Sequence, residues 1–263
     1  MMKGFPILNH KFHDKPSVFQ PENLLREARR QKGITELVIP GICILDPDGD
    51  IEEYVIKKHK AQLNKAWACY HTMLFEFTYQ GVKVGIIGKA VGASFAVLLA
   101  EQLFASGCKL LLSMTSAGQL VQTIAPPYFI LIEKAVRDEG TSYHYLPPTE
   151  FSFIRSEVKE KLNGVFDELD LKIFSGSTWT TDAPYRETEE VVNYYKSKTI
   201  HAVEMEASAL YAFAQARNKP VICFAHVTNQ MASITGDFEK GEHNGSVDAL
   251  EVLFKVMDRF IRK

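Results

Sequence analysis

The chain has 263 residues, of which 46% are hydrophobic and 24% charged, and a formal net charge of −2. That length buries a full core in one large α/β domain or two small ones. The near-neutral balance argues against nucleic acid or a membrane surface as partner. No apolar run approaches the roughly 20 residues of a membrane span. Residues 1–6 lack the apolar core of a signal peptide. Cys43, Cys69, Cys108 and Cys223 stand far apart, in no Cys-x-x-Cys pattern. They read as core thiols of a cytoplasmic protein, with no metal site expected.

Residues 1–20 carry mixed aromatics, two histidines and two prolines, and read as an extended arm. Pro21 opens a helix over 21–31, closed by Gly33. Arg26, Arg29 and Arg30 lie on it. The division expected is an arm and helix over 1–35 and a main domain over 36–263. A buried strand run follows at 36–45, broken by Pro40-Gly41, and Asp46-Pro47-Asp48-Gly49 is a turn by composition. Next come a helix over 51–59 and a strand pair over 73–79 and 83–87. Gly88-Lys89-Ala90-Val91-Gly92-Ala93-Ser94 then leads into an apolar helix over 95–106. Strand, Gly-rich turn and helix in that order point backbone N–H groups at an anion.

The next strand spans 109–116 and ends at Ala117-Gly118; another spans 128–135. A polar turn, Arg137 to Tyr145, follows. Residues 151–170 read as one helix plus a connection, and 171–180 as a strand. Trp179 and Tyr185 are candidates for stacking on a planar ring, or for the core. A helix lies near 187–196, and a strand over 221–227 ends in Thr228-Asn229-Gln230. The C-terminal end of an α/β strand is where ligands bind. Residues 231–245 form a polar, Gly-containing loop suited to a lid, and 247–261 an amphipathic helix.

The chain is organised around His201 to Tyr211. Glu204-Met205-Glu206 heads an Ala-rich run to Asn218, in which a helix starts near Met205. Ionised Glu is rarely buried without a partner. The helix dipole accounts for one of these carboxylates. Two, around a Met, suggest a sugar site. A carboxylate accepts two hydrogen bonds from a vicinal diol, and Met packs softly on the apolar ring face.

Val203-Glu204-Met205-Glu206-Ala207 resembles the signature of the nucleoside phosphorylase family, which covers uridine and purine nucleoside phosphorylases and related nucleosidases. The resemblance extends over roughly 36–260. It implies a single-domain, three-layer α/β fold, with a central mixed, partly barrel-like sheet flanked by helices. It also implies an oligomer, a dimer or a dimer-based hexamer. In the family the last Glu of the motif holds the ribose hydroxyls and the Met lines the sugar pocket. Glu204, Met205 and Glu206 are therefore expected at a ribose. Trp179, Tyr185, Arg186 and Asn229 are expected at the base, with Asn229 and Arg186 stabilising the departing base anion. The turn at 137–145 is similar to one in uridine phosphorylases.

The implied activity is cleavage of a nucleoside N-glycosidic bond, most like that of a uridine phosphorylase, with no cofactor and inorganic phosphate as co-substrate. Phosphate would sit among Gly41, Gly88, Lys89, Gly92 and Ser116. The family's first strand ends in a Gly-Asp-Pro-x-Arg loop. Matching its glycine to Gly41 leaves the acid, proline and arginine without counterparts. The Arg of the family's Ile-Arg-x-Gly-Thr/Ser-x-Gly strand falls on Ser113, and no arginine occurs from Gln31 to Val136. That loss matters, because Arg suits bidentate phosphate binding. Asn229 stands where hexameric purine-cleaving members and many nucleosidases carry an acid, while uridine phosphorylases and trimeric purine phosphorylases carry Asn nearby; an amide donates a hydrogen bond but delivers no proton. Two alternatives follow: a nucleoside hydrolase of the same fold, or a non-catalytic nucleoside-binding protein. Neighbouring chains could also supply the missing charge from Arg26, Arg29 or Arg30.

Overall fold

Runs of aliphatic and β-branched residues make the strands, and the long buried ones read almost without polar interruption. In the computed structural model, residues 4–35, 38–122, 124–231 and 237–261 are described. Their elements are α1 (Pro21–Lys32), β1 (Ile42–Asp46), α2 (Asp50–Lys58), β2 (Gln62–Leu63), β3 (Phe75–Tyr79), β4 (Val82–Gly88), α3 (Ala93–Ala105) and β5 (Leu110–Gln119). Then follow β6 (Tyr128–Asp138), β7 (Phe151–Phe153), α4 (Ser156–Lys161), β8 (Ile173–Thr181), α5 (Glu189–Ser197), β9 (Ala202–Glu204), α6 (Ala207–Arg217), β10 (Val221–Asn229) and α7 (Ser246–Ile261).

The strands form one mixed sheet in the order β10-β6-β8-β9-β5-β1-β4-β3-β2, and β10 also pairs with β5. That extra pairing closes β5, β10, β6, β8 and β9 into a five-stranded barrel. β1, β4, β3 and β2 extend it as an open wing. Closure removes the edges that an open sheet would expose. β1 runs parallel to β4 and β5, and β5 parallel to β10, so their C-terminal ends gather on one side. Every residue of β1 and of β10 is buried, as helix-covered parallel strands require. α6 is buried along Ala207–Ala214; a helix apolar on all faces belongs in the core. The hydroxyl of its Tyr211 donates to Ile132 O of β6 at 2.5 Å and accepts from Cys223 N of β10 at 3.0 Å. α6 is thereby keyed to the barrel wall.

The expected strand at 36–45 is shorter at its start and longer at its end. Residues 36 and 37 lie outside the described residues, and Pro40 lacks the N–H that a ladder needs. Pairing of β1 begins at Ile42 and continues to Asp46 against Gly88. The reading of 151–170 as one helix plus a connection missed a strand at its start. Phe151–Phe153 pair antiparallel with β6, and only Ser156–Lys161 are α-helical. The Phe-Ser-Phe alternation has the period of a strand, and buried Ser152 donates to Ser208 O at 2.6 Å. β5 runs on to Gln119, because Gly118 and Gln119 pair with Val203 and Ala202.

Candidate functional site

The site starts where β9 ends. Glu204 is 3% exposed. Its Oε1 accepts from Thr178 Oγ1 at 3.0 Å and Thr180 Oγ1 at 2.5 Å. Its Oε2 accepts from the N–H groups of Glu206 and Ala207, both at 2.7 Å. A carboxylate offers about four acceptor positions, and here protein donors take four. Glu204 satisfies the orphan N–H groups at the head of α6. The structure therefore gives it a positioning task instead of the ribose contact the motif suggested.

The brace extends further. Ser208 N donates to Thr180 Oγ1 at 2.9 Å, and Ser208 Oγ to Glu139 Oε1 at 2.9 Å. Buried Arg137 donates to Ser142 Oγ, Pro147 O, Thr149 Oγ1 and Leu146 O. The turn at 137–145 thus pins the head of α6.

Glu206 is 1% exposed. Its Oε1 accepts from Gly92 N at 2.7 Å and its Oε2 from Thr115 Oγ1 at 2.9 Å. Each oxygen keeps acceptor capacity. Burial raises the pKa of both carboxyls, and the Glu204 charge raises that of Glu206 further. Four donors favour charge on Glu204, so of the two carboxyls Glu206 is the one whose neutral form is more favoured.

Half-buried Met205 lies between the two carboxylates in sequence. Asn229 ends β10 opposite Gly118. Its Nδ2 donates to Thr228 Oγ1 at 3.2 Å and its Oδ1 accepts from Met231 N at 2.9 Å. A Cβ on Gly118 would lie 2.5 Å from Met231 Sδ and 3.3 Å from Asn229 Oδ1. Bare backbone at Gly118 makes that approach possible. Strand β5 therefore carries two groups near its C-terminal end, Glu206 with Gly92 and Thr115, and Asn229 with Gly118 and Met231. Thr115 and Met231 escaped the sequence reading.

The expected phosphate residues divide differently. Gly41 precedes β1, and its carbonyl accepts from Lys109 and Leu110 N at the start of β5. It lies at the opposite end of these parallel strands from Gly88 and Ser116, which corrects its assignment. The loop leaving β1 at the correct end is Asp46-Pro47-Asp48-Gly49-Asp50. It supplies the acid and proline of the Gly-Asp-Pro-x-Arg pattern, with Leu45 and Gly49 in the outer places. Anchoring the comparison on the acid-proline pair would have found it.

Several donors there are already engaged. Gly88 N donates to Glu52 Oε2 at 2.7 Å and Lys89 N to Asp46 O at 2.9 Å. Gly92 N serves Glu206. Lys89 Nζ pairs with Glu53 at 3.4 Å, and Ser116 Oγ donates to Asp48 Oδ2. Lys240 Nζ bridges Asp48 at 3.0 Å and Asp50 at 2.6 Å. Burial lifts Asp46 to about 7 and depresses His226 to about 4. Arg26 and Arg30 pair with Glu27 on their own helix, and Arg29 donates to Ser106 Oγ.

Trp179 is 2% exposed and packs with Leu120, Val136, Ile200 and Val203. Its Nε1 donates to Asp138 Oδ2 at 2.9 Å. The structure places it in the core and not against a base, because β8 turns that side chain inward. Tyr185 is 99% exposed, and Arg186 is exposed beside it on the 3-10 turn after β8. Among the described residues, neither is hydrogen-bonded to Glu206 or Asn229. The lid expected over 231–245 falls partly on 232–236, outside the described residues. Its later part carries Lys240 and Gly245. A cavity of about 560 Å³ is lined by Lys134, Lys159, Lys198 and His201 among others, and shares no residue with this site. No helix of the described residues is long and apolar enough to cross a membrane.

The sequence pattern of the Phosphorylase superfamily matches residues 42–262. A guanosine phosphorylase of Halorubrum lacusprofundi is 26% identical over 139 residues, 52% of this chain and 57% of that protein. The match therefore spans little more than half of that relative's length. A DeoD-type purine nucleoside phosphorylase of Brevibacillus brevis is 25% identical over 64% of this chain and 74% of its own. Among solved structures, uridine phosphorylase from Vibrio fischeri superposes with a TM-score of 0.71 at 20% identity, covering 86% of this chain and 93% of that one. Purine nucleoside phosphorylase from Toxoplasma gondii gives 0.71 at 20%, covering 97% of each. With its barrel and the Glu206 site in place, the chain belongs to the phosphorylase superfamily and carries the nucleoside phosphorylase fold.

Proposed function

We propose that this protein is an enzyme that cleaves the N-glycosidic bond of a nucleoside. One observation carries the reading: Glu206 is sealed at the head of α6, held by Gly92 N and Thr115 Oγ1, with acceptor capacity left on each oxygen. A ribose 2′,3′-diol matches that capacity. The ionised Glu206 accepts from both hydroxyls, which anchors the sugar as it gains oxocarbenium character. Met205 packs under the ring. Asn229 offers Nδ2 to the departing base, a stabilisation worth about 2.7–4 kcal/mol per well-placed donor elsewhere.

The names of the relatives divide between purine and uridine substrates, and Asn229 favours a leaving group that departs without general-acid help. A pyrimidine nucleoside fits this best. Arg186 would join the base by closure of the turn after β8. The same reading extends to a homo-oligomer in the cytoplasm, built from dimers. It is supported by Phe5, Phe12 and Phe19, which stand exposed on the N-terminal arm.

The test is incubation with a panel of purine and pyrimidine nucleosides, with products separated by chromatography. Base released by the wild type and lost in Glu206→Ala supports the reading. No base from any nucleoside refutes it.

A further inference from the structure

Strand β6 breaks its own alternation. Paired with β8, it shifts register between Ile132 and Lys134, which leaves Glu133 as the extra residue of a bulge. Bulges re-aim side chains. In an unbroken strand Glu133 and Lys134 would point to opposite faces, yet both line one cavity of about 560 Å³. Lys134 stands opposite Phe153 of β7 and Ser177 of β8, so three strands set one row of side chains on this wall. Lys159 reaches it from α4, and Lys198, Thr199 and His201 from the connection between α5 and β9.

Two further features fix the wall. Thr199 has φ of +57°, a left-handed conformation that a β-branched residue takes only under constraint. Its carbonyl accepts from Ser177 Oγ at 3.2 Å, and Ser177 N donates to His201 Nδ1 at 3.2 Å. Gly176 admits the imidazole: a Cβ there would lie 3.1 Å from His201 Nδ1 and 3.0 Å from Ile130 Cγ2. A bulge, a strained threonine and a close-approach glycine thus converge on one cavity. Strain of this kind clusters at ligand sites.

The charge on the wall is one-sided. Lys159 pairs with Glu133 at 3.0 Å. Lys134 and Lys198 lie over the rings of Phe151 and Tyr194, at 4.5 and 5.6 Å, and among the described residues neither meets a carboxylate. Two positive charges are therefore in excess. Burial lowers the His201 pKa and the Lys134 charge lowers it further, so at neutral pH His201 adds hydrogen-bonding capacity and no charge. A phosphate monoester carries about −1.5 to −2 at pH 7 and matches the excess. Ammonium groups bind phosphate as point charges. The cavity is larger than a bare phosphate fills and has the size of small-molecule sites. Phe153, 48% exposed, and Ile154 offer apolar contact to the remainder of such a ligand.

We propose that this cavity is a second ligand site, for a small phosphate monoester whose phosphate meets Lys134 and Lys198 and whose organic body lies on Phe153. It is separate from the Glu206 site, since His201 precedes β9 and Glu204 ends it. It stands independently of nucleoside cleavage.

The test is calorimetric titration of the full chain with uridine and adenosine 5′-monophosphates, ribose 5-phosphate and inorganic phosphate. Saturable binding of at least one ester, weakened by added salt, is expected. Lys134→Ala and Lys198→Ala should each weaken it about 10-fold or more, with the melting temperature kept. Glu206→Ala should bind the ester as the wild type does. Tighter binding of a nucleotide than of ribose 5-phosphate assigns the organic body to a nucleoside; equal or weaker binding assigns it to a sugar. No saturable binding of any ester at millimolar concentration overturns the proposal. So does binding that survives both lysine changes, or that is lost in Glu206→Ala, because the ester then occupies the nucleoside site. Inorganic phosphate binding as tightly as the esters overturns the role given to Phe153.

Discussion

The Glu206 N–H donates to Glu204 Oε2 at 2.7 Å, so the backbone of one buried carboxyl residue is held by the side chain of the other. One is spent on holding the helix head. The other is left with capacity for a ligand. This division of labour sets opposite expectations for the two side chains.

Glu204→Gln should destabilise the fold. The amide cannot accept at both ends, so hydroxyls of Thr178 and Thr180 or the N–H groups of Glu206 and Ala207 lose partners. A loss on the order of 3 kcal/mol is expected, read as a lower urea midpoint. A midpoint within error of wild type would leave the helix-head role without support.

Glu206→Gln should cost little stability and most of the activity, with turnover lower by about 100-fold or more. The pH dependence carries a sign. The native pKa of Glu206 is raised above its unfolded value by burial and by Glu204. Between the two values the folded state holds more protons, so wild-type stability falls as pH rises through that window. Glu206→Gln should flatten the fall. Melting temperatures of both proteins from about pH 5 to pH 9 check it; parallel curves would argue against a protonated Glu206.

Gly118→Ala and Gly245→Ala should separate function from stability. At Gly118 the added methyl meets the flexible end of Met231, which can move, although Asn229 is crowded. Nucleoside turnover should drop with the melting temperature nearly kept. At Gly245 the methyl meets the His226 ring and Lys240 O at 2.3 Å, on a backbone with φ of +74°. A loss of about 2 kcal/mol or more is expected there, read by chemical denaturation. Equal effects of the two changes would contradict the geometry.

Trp179→Phe removes the bond to Asp138 and some packing. The expected cost is about 1–3 kcal/mol, with the ranking of nucleosides unchanged. A switch in base preference at constant stability would return Trp179 to the base site.

Much of the architecture was legible in the residues alone. Buried runs such as 221–227 declare strands by composition. The Gly-rich turn before α3 and the Glu-Met-Glu motif stand out as local patterns, because helix heads and glycine turns present N–H groups whatever the surroundings. Local periodicity also placed α1, α2, α3 and α7 to within a few residues. Short segments were misjudged where a partner strand decided the outcome. Phe151–Phe153 became β7 only because β6 offers a free ladder.

The roles of the charged residues were not legible in this way. Glu204 and Glu206 are equivalent in sequence, and only the barrel decides which one meets Thr178 and Thr180 and which one meets Gly92 and Thr115. Asp46, Asp48 and Asp50 look like an ordinary turn. They become the wall of a pocket because β5 and β10 bring Thr115, Ser116 and His226 against them and the chain returns Lys240 from 192 residues away. Sequence determined which segments could form strands, helices and tight turns, since those depend on neighbours along the chain. Tertiary structure decided which carboxylate is saturated and which is open, since hydrogen-bond partners and burial come from residues far apart in the chain.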